Sequence, residues 1–191
     1  MADPRPSIAD RRRTFKQLHE GGCFVIPNPW DVGSARFLQG LGFKALATTS
    51  SGFAWSQGRP DNGISRDMAL AHLRDIVAAT DLPVNADFES GFAVDAAGVA
   101  ESVRLAVGTG VAGLSIEDST GDAARPLYEL SVAVERIRAA RAAIDQTGGD
   151  TLLVGRAECF FVGRPDLGEA IERLKAYAHA GADCLYAPGI R

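Results

Sequence analysis

Short runs of β-branched and apolar residues alternate along this chain with longer segments whose apolar residues follow a helical period, which restricts the fold more than any other feature. Six runs read as strands: Cys23 to Pro27, Ala45 to Thr49, Pro83 to Asp87, Gly113 to Glu117, Leu152 to Ala157 and Asp183 to Ala187. Between them, spacings such as Leu70, Leu73, Val77 and Ile171, Leu174, Ala178 give each helix one apolar face for a sheet. Ser65 is placed to cap the helix that carries Asp67 in its first turn, and Asp166 with Glu169 has capping-box spacing. The segments GLGFKALATT, GTGVAGLSIED and HAGADCLYAPG each end a helix on glycine and start a strand. A repeated βα unit of this kind builds a parallel sheet through right-handed crossovers.

The fold class is therefore α/β. A TIM-like (β/α)8 barrel is preferred to a doubly wound open sheet because polar residues gather at the C-terminal ends of the strands. A single domain over residues 1–191 is expected, since 191 residues at 46% hydrophobic content can bury one sizeable core. Barrels of this class typically run to about 250 residues. The chain thus reads as a barrel truncated after its sixth strand, with C-terminal βα units missing; the alternative is a short form that completes itself by another route.

A net charge of −4 and a pI near 5.4 give no broad positive surface for nucleic acid or anionic lipid, so a small-molecule ligand is the default partner. No apolar run has the length of a membrane span, and the N-terminus is polar, with Arg11, Arg12 and Arg13 near Asp10 and Glu20. These features point to a cytoplasmic protein without a signal peptide. Cys23, Cys159 and Cys184 are odd in number and set in apolar runs, which reads as buried reduced thiols.

In a parallel βα sheet the reactive groups come from strand C-terminal ends and the loops that follow. Here those positions are acidic. Asp87 and Glu89 lie two apart in NADFESG, Glu117 and Asp118 sit in SIEDS, and Asp61 lies in the loop GRPDNG. Carboxylates with little histidine suit a hard divalent cation, Mg²⁺ or Mn²⁺, which takes one or two acids directly and others through water. Arg156, in GRAEC, follows a wholly apolar run and needs a carboxylate or an anionic ligand if it points inward. The hydroxyls and glycine of TTSSGFA offer N–H groups to a carboxylate.

Each feature also has a plainer reading. A lone acidic pair is as often a solvated loop or a helix cap. Glu158 either pairs with Arg156 or takes part in catalysis directly. His19, His72 and His179 fall in helical segments and read as surface or helix-end residues. Trp30 and Trp55 either line the mouth or pack. The loop from Ser119 to Pro126 is either a lid over substrate or a flexible connection.

In this order on consecutive strands, the motifs resemble those of the isocitrate lyase and phosphoenolpyruvate mutase superfamily, from about Phe15 onward. PNPWDVGSAR resembles that family's first strand and turn, and brings Trp30 and Asp31 in as substrate-binding candidates. TTSSGFA resembles the second, whose Ser-Gly pair implies Ser51 and Gly52 as backbone donors to a substrate carboxylate. The D-x-D-T-G-Y-G element reads here as DFESGFA, with Asp87 in the place of the principal metal carboxylate and Glu89 beside it. Asp61 and Glu117 match the other acids of the metal sphere, and GRAEC is similar to an Arg-x-Glu/Asp element that implies Arg156 as the substrate-anion contact; Glu158 is a catalytic candidate beside it.

The resemblance implies a Mg²⁺-dependent enzyme that acts on a small 2-oxo acid through an enolate, and a homo-oligomer, usually a tetramer. The loop DSTGDAARPLYE lacks the lysine-rich cysteine motif of the isocitrate and methylisocitrate lyases. It also lacks the asparagine that phosphoryl chemistry uses there, and YAPG lacks that chemistry's histidine. The expected reaction is carbon–carbon bond cleavage in oxaloacetate, an acylpyruvate or a methylisocitrate-like substrate. The alternatives are carbon–phosphorus chemistry of the mutase or phosphonopyruvate hydrolase type, and a non-catalytic truncated barrel.

Overall fold

The computed structural model describes residues 5–190. Its helices are α1 (Ile8–Leu18), α2 (Val32–Gly40), α3 (Ser50–Ser56), α4 (Arg66–Ala79), α5 (Ala96–Val107), α6 (Leu130–Gln146) and α7 (Leu167–His179). Its strands are β1 (Leu46–Ala47), β2 (Val84–Asp87), β3 (Gly113–Glu117), β4 (Leu152–Arg156) and β5 (Cys184–Tyr186). They lie in one sheet in chain order, and the β1–β2 and β4–β5 pairings are parallel, with Leu46 opposite Val84 and Val154 opposite Cys184. Chain order without reversal is the strand order of a (β/α) barrel; a doubly wound sheet reverses at a switch point.

Five of the six expected strands form. Cys23 to Pro27 does not: the Ala47 N–H reaches the Pro27 carbonyl at 3.0 Å, but no ladder follows among the described residues. Pro27 and Pro29 have no N–H to continue one. Cys184–Tyr186 is accordingly the fifth strand of the described residues, not the sixth. The cysteines are all free, but only Cys159 is buried; Cys23 is exposed, contrary to expectation. Among the described residues no helix is long and apolar enough to cross a membrane.

The chain divides into two compact units. The first runs to Asp87 and includes Leu105–Leu114. Its core gathers Phe15, Leu46, Leu73, Ile76 and Val84. A capping box between Ser7 and Asp10 starts α1 and directs Arg11 and Arg12 into the unit, where both are buried. Arg11 Nη1 donates to the carbonyls of Val77 and Thr80 at 3.1 and 3.3 Å. Arg12 donates to those of Val111 and Val107 at 3.0 and 2.9 Å. Helix geometry leaves such C-terminal carbonyls without intrahelical donors, so two guanidinium groups close the ends of α4 and α5. The basic N-terminal segment is a structural clamp as well as a polar surface.

His72 on α4 departs from its expected surface role. It is buried, its ring stacks on Phe53 at a centroid distance of 3.9 Å, and its Nε2 has no hydrogen-bond partner. Burial pushes its pKa down to about 4, against the opposing pull of Asp75 and Asp31.

The second unit comprises Phe88–Arg104 and the chain from Ser115 onward. Ile116, Ile137, Ile144, Leu153 and Tyr177 are fully buried in it. Gly155 on β4 allows α7 to come close, since a Cβ there would lie 2.9 Å from that of Tyr177 and 3.3 Å from that of Ala182. After β2 the backbone turns sharply, with Glu89 at φ 48° and Phe92 at φ 52°, both in the left-handed region that side chains disfavour. Arg136, also buried, holds this turn by donating to the carbonyls of Ser90, Ala93 and Val94, and it stacks 4.4 Å from the centroid of Tyr128.

Two predictions follow from this packing. Gly155→Ala forces β4 and α7 apart and is expected to cost about 1–3 kcal/mol, read as a lower midpoint in urea unfolding. The second concerns His72, which is protonated more readily in the unfolded chain, so stability falls as pH drops from about 6.5 towards 4, by at most about 1.4 kcal/mol per pH unit. Above that window His72 makes no contribution to the pH dependence. Unfolding midpoints of wild type and His72→Gln across the window should converge as the pH falls, and parallel profiles would exclude the effect.

Candidate active site

In the first unit the site is built around the end of β2. The N–H and the hydroxyl of Ser50 each donate to Asp87 Oδ2 at 2.8 Å, while the Asp87 N–H donates to the Thr48 hydroxyl at 2.9 Å. Two neutral donors thereby orient the carboxylate. A small cavity adjoins it, lined by Thr48, Thr49, Ser50, Phe53 and His72 as well as Asp87.

Ser51 and Gly52 lie in the first turn of α3. Thr49 caps that turn: its hydroxyl accepts from the Gly52 N–H at 3.1 Å and lies 3.2 Å from the Ser51 hydroxyl. Glycine is required at 52, because a Cβ would stand 2.7 Å from Thr49 Cγ2 and 3.4 Å from Trp30 Cβ. Trp30 is about half exposed. Asp31 is the N-cap of α2, and its bond from the Ser34 N–H at 2.6 Å holds its pKa below the usual carboxylate value. The structure thus gives Asp31 a capping role. Asp61 is exposed in the loop between α3 and α4, where it accepts from the Asn62 N–H at 3.0 Å.

In the second unit, β3 ends on Glu117 and β4 on Arg156. The guanidinium of Arg156 bridges two carboxylates, with Nη2 3.2 Å from Glu117 and Nε 2.9 Å from Glu158. All three side chains are largely buried, Glu158 most of all at 2% exposed. Desolvation makes such a charge costly alone, and the two acids offset it. The Tyr186 ring lies 5.7 Å from the same guanidinium. Glu89 is buried, and its carbonyl accepts from the Glu117 N–H at 3.0 Å. The pairing reading of Glu158 is therefore realised.

Among the described residues, no three His, Cys, Asp or Glu side chains form a group that could hold a metal ion. A Mg²⁺ ion does not need one, as it commonly keeps several waters and takes one or two carboxylates. The Asp87 carboxylate, pinned at the end of β2 by Ser50, is an oxygen donor of the kind a hard cation takes.

Several contributors escaped the sequence. Ser50 and Thr48 hold Asp87, and the only hint was the hydroxyl-rich run before the glycine. Arg173 and Tyr177, four apart on α7, converge on the buried carboxylate of Asp118. Burial and the adjoining charge of Asp118 push the phenol of Tyr177 well above its ordinary pKa. Burial opposes the charge on Arg173, but its bonds to Tyr177 and Glu169, with the charge of Asp118, outweigh that and raise its pKa.

Comparison with known proteins identifies the family of this chain. Residues 15–191 match the family model described as phosphoenolpyruvate phosphomutase. A candidate lyase/mutase of Burkholderia cenocepacia is 51% identical, with a TM-score of 0.94, over 96% of this chain and 67% of its own. The 2-methylisocitrate lyase of Escherichia coli is 35% identical over 84% of this chain and 55% of its own length. A phosphonopyruvate hydrolase solved with oxalate and Mg²⁺ is 25% identical, with a TM-score of 0.86, over 93% of this chain and 62% of its own. The chain spans between about half and two thirds of the curated relatives it matches, 55% of the Escherichia coli enzyme and 65% of a Mycobacterium tuberculosis protein. With the family model covering nearly all of it and the fold shared throughout, the chain belongs to the phosphoenolpyruvate phosphomutase family of the isocitrate lyase and phosphoenolpyruvate mutase superfamily.

Proposed function

We propose that this chain carries the metal and substrate groups of a Mg²⁺-dependent enzyme that cleaves a carbon–carbon bond in a small 2-oxo acid through an enolate. The observation that carries this reading is the Asp87 carboxylate at the end of β2, aimed by two bonds from Ser50. The likeness to a 2-methylisocitrate lyase and to a hydrolase that holds oxalate with Mg²⁺ supports it, since oxalate has the shape and charge of a pyruvate enolate.

When bound, Mg²⁺ would supply Lewis-acid charge where the enolate oxygen develops. Asp87 is its direct carboxylate in this reading, and Glu89, Glu117 and Asp61 act through water. Arg156 binds the substrate's anionic end; its planar fork can serve a ligand while Glu117 and Glu158 hold it in place. Glu158 stands as the buried carboxylate nearest that contact for proton transfer. Ser51 and Gly52 receive the substrate carboxylate at the start of α3, with the Thr49 hydroxyl giving up the Gly52 N–H as substrate enters. Trp30 borders this position. A carbon–phosphorus reading has a specific basis in the phosphonopyruvate hydrolase likeness.

Isothermal titration of oxalate in the presence of Mg²⁺ tests the site. Wild type should bind, and Asp87→Ala should lose binding by at least about tenfold. Metal-independent binding, or binding unchanged in Asp87→Ala, would refute the assignment. Ser50→Ala, which removes the hydroxyl bond to Asp87 but keeps the bond from the backbone N–H, should weaken the complex by less than Asp87→Ala does. For the reaction, Mg²⁺-dependent release of pyruvate or oxalate from oxaloacetate, acylpyruvates and methylisocitrate supports carbon–carbon cleavage. Turnover of phosphonopyruvate alone, followed by ³¹P NMR, would transfer the assignment to carbon–phosphorus chemistry.

A further inference from the structure

Asp118 follows β3 directly, is 2% exposed, and meets donors from several parts of the second unit. Its Oδ1 accepts from the Glu158 N–H at 2.8 Å, and its own N–H donates to the Arg156 carbonyl at 3.3 Å. The segment Arg156, Ala157, Glu158 is therefore bracketed at both ends by one residue. The other carboxylate oxygen accepts from the Tyr177 hydroxyl at 2.5 Å and from Arg173 Nη1 at 3.2 Å. Arg173 is in turn paired with Glu169 at 2.9 Å and donates to the Tyr128 carbonyl at 3.0 Å, while the Tyr128 N–H donates to the Asp118 carbonyl at 2.9 Å.

We propose that Asp118 is the positioning residue of the substrate-binding arginine: α7, through Tyr177 and Arg173, fixes the Asp118 carboxylate, and that carboxylate sets the backbone from which Arg156 and Glu158 project. The role rests on Arg156 being the anion contact proposed above. Proton transfer by Asp118 is a poorer account, because its carboxylate is engaged by three donors and lies away from solvent. An acceptor-only group is also what this place demands. An asparagine would present its NH₂ to the Glu158 N–H or to the Tyr177 and Arg173 donors, and at least one bond would be lost.

The position of Arg156 can be read directly through its reaction with phenylglyoxal, located by mass spectrometry. Tyr177→Phe removes one hydroxyl and Asp118→Asn disturbs the whole set. In both, Arg156 should be labelled faster by about tenfold, the equilibrium effect of losing a buried hydrogen bond to a charged group, while the exposed Arg138 keeps its wild-type rate. Circular dichroism and the labelling of Arg138 identify any variant that has simply unfolded, and Tyr177→Phe is the milder of the two. A purely structural staple would lower the melting temperature of both variants and leave Arg156 labelling in the folded protein unchanged, which would overturn the proposal. Oxalate titration with Mg²⁺ on the same proteins separates the two ideas. If wild type binds and the variants bind more weakly, both stand. If wild type binds no oxalate, the functional reading fails, and the labelling still decides whether Asp118 positions Arg156.

Discussion

A buried guanidinium must be given acceptors, and this requirement organises the structure more than any single apolar contact. Arg11 and Arg12 meet it with backbone carbonyls at the ends of α4 and α5. Arg136 meets it with the carbonyls of the turn after β2, Arg173 with Asp118 and Glu169, and Arg156 with Glu117 and Glu158. Arg11, Arg12, Arg136 and Arg173 each donate to backbone carbonyls of another segment, whereas Arg156 is held by side-chain carboxylates. Apolar packing of leucine and isoleucine brings the elements together without direction. The forked, charged donors then fix loop positions that apolar contact leaves undetermined.

The turn after β2 shows how this bears on function. Glu89 and Phe92 are held at positive φ without glycine's freedom, a conformation that persists only where the surroundings over-determine it. Arg136 supplies that determination through the carbonyls of Ser90, Ala93 and Val94. The aromatic contact with Tyr128 also links the guanidinium to the end of the segment that follows β3. That segment is itself ordered by a bridge between Ser119 and Leu127 and by Thr120 bonding to Arg125, so its resting state is a defined loop.

The strands β2, β3 and β4 were legible from the sequence as short segments, apolar for the most part, that lie between longer segments of helical period. Their ends were legible too: Asp87, Glu117 and Arg156 close the strands where the polar residues begin. Cys23 to Pro27 is as apolar but forms no strand, and Pro27 and Pro29 at its end have no N–H with which to extend a ladder. His72 looked like a surface histidine because its helix is amphipathic, and only the partner ring of Phe53 decides that it is covered. Ser50 and Tyr177 were invisible for a related reason. Each acts on an acid far away in sequence, and neither spacing nor composition encodes such a pair.

The acids at the strand ends are chemically alike but are placed in different electrostatic situations. Glu117 and Glu158 share one guanidinium, so part of their negative charge is answered within the protein. Asp87 is oriented by the N–H and hydroxyl of Ser50, both neutral groups that fix its direction. A divalent cation gains most from the second kind of carboxylate, and an anionic substrate gains most from an arginine already held in position. A cluster of many equivalent acids would bind a metal tightly, but would repel the anion that must follow it. The acids flanking Arg156 restrain its guanidinium, and among the described residues no three acids form a metal cage.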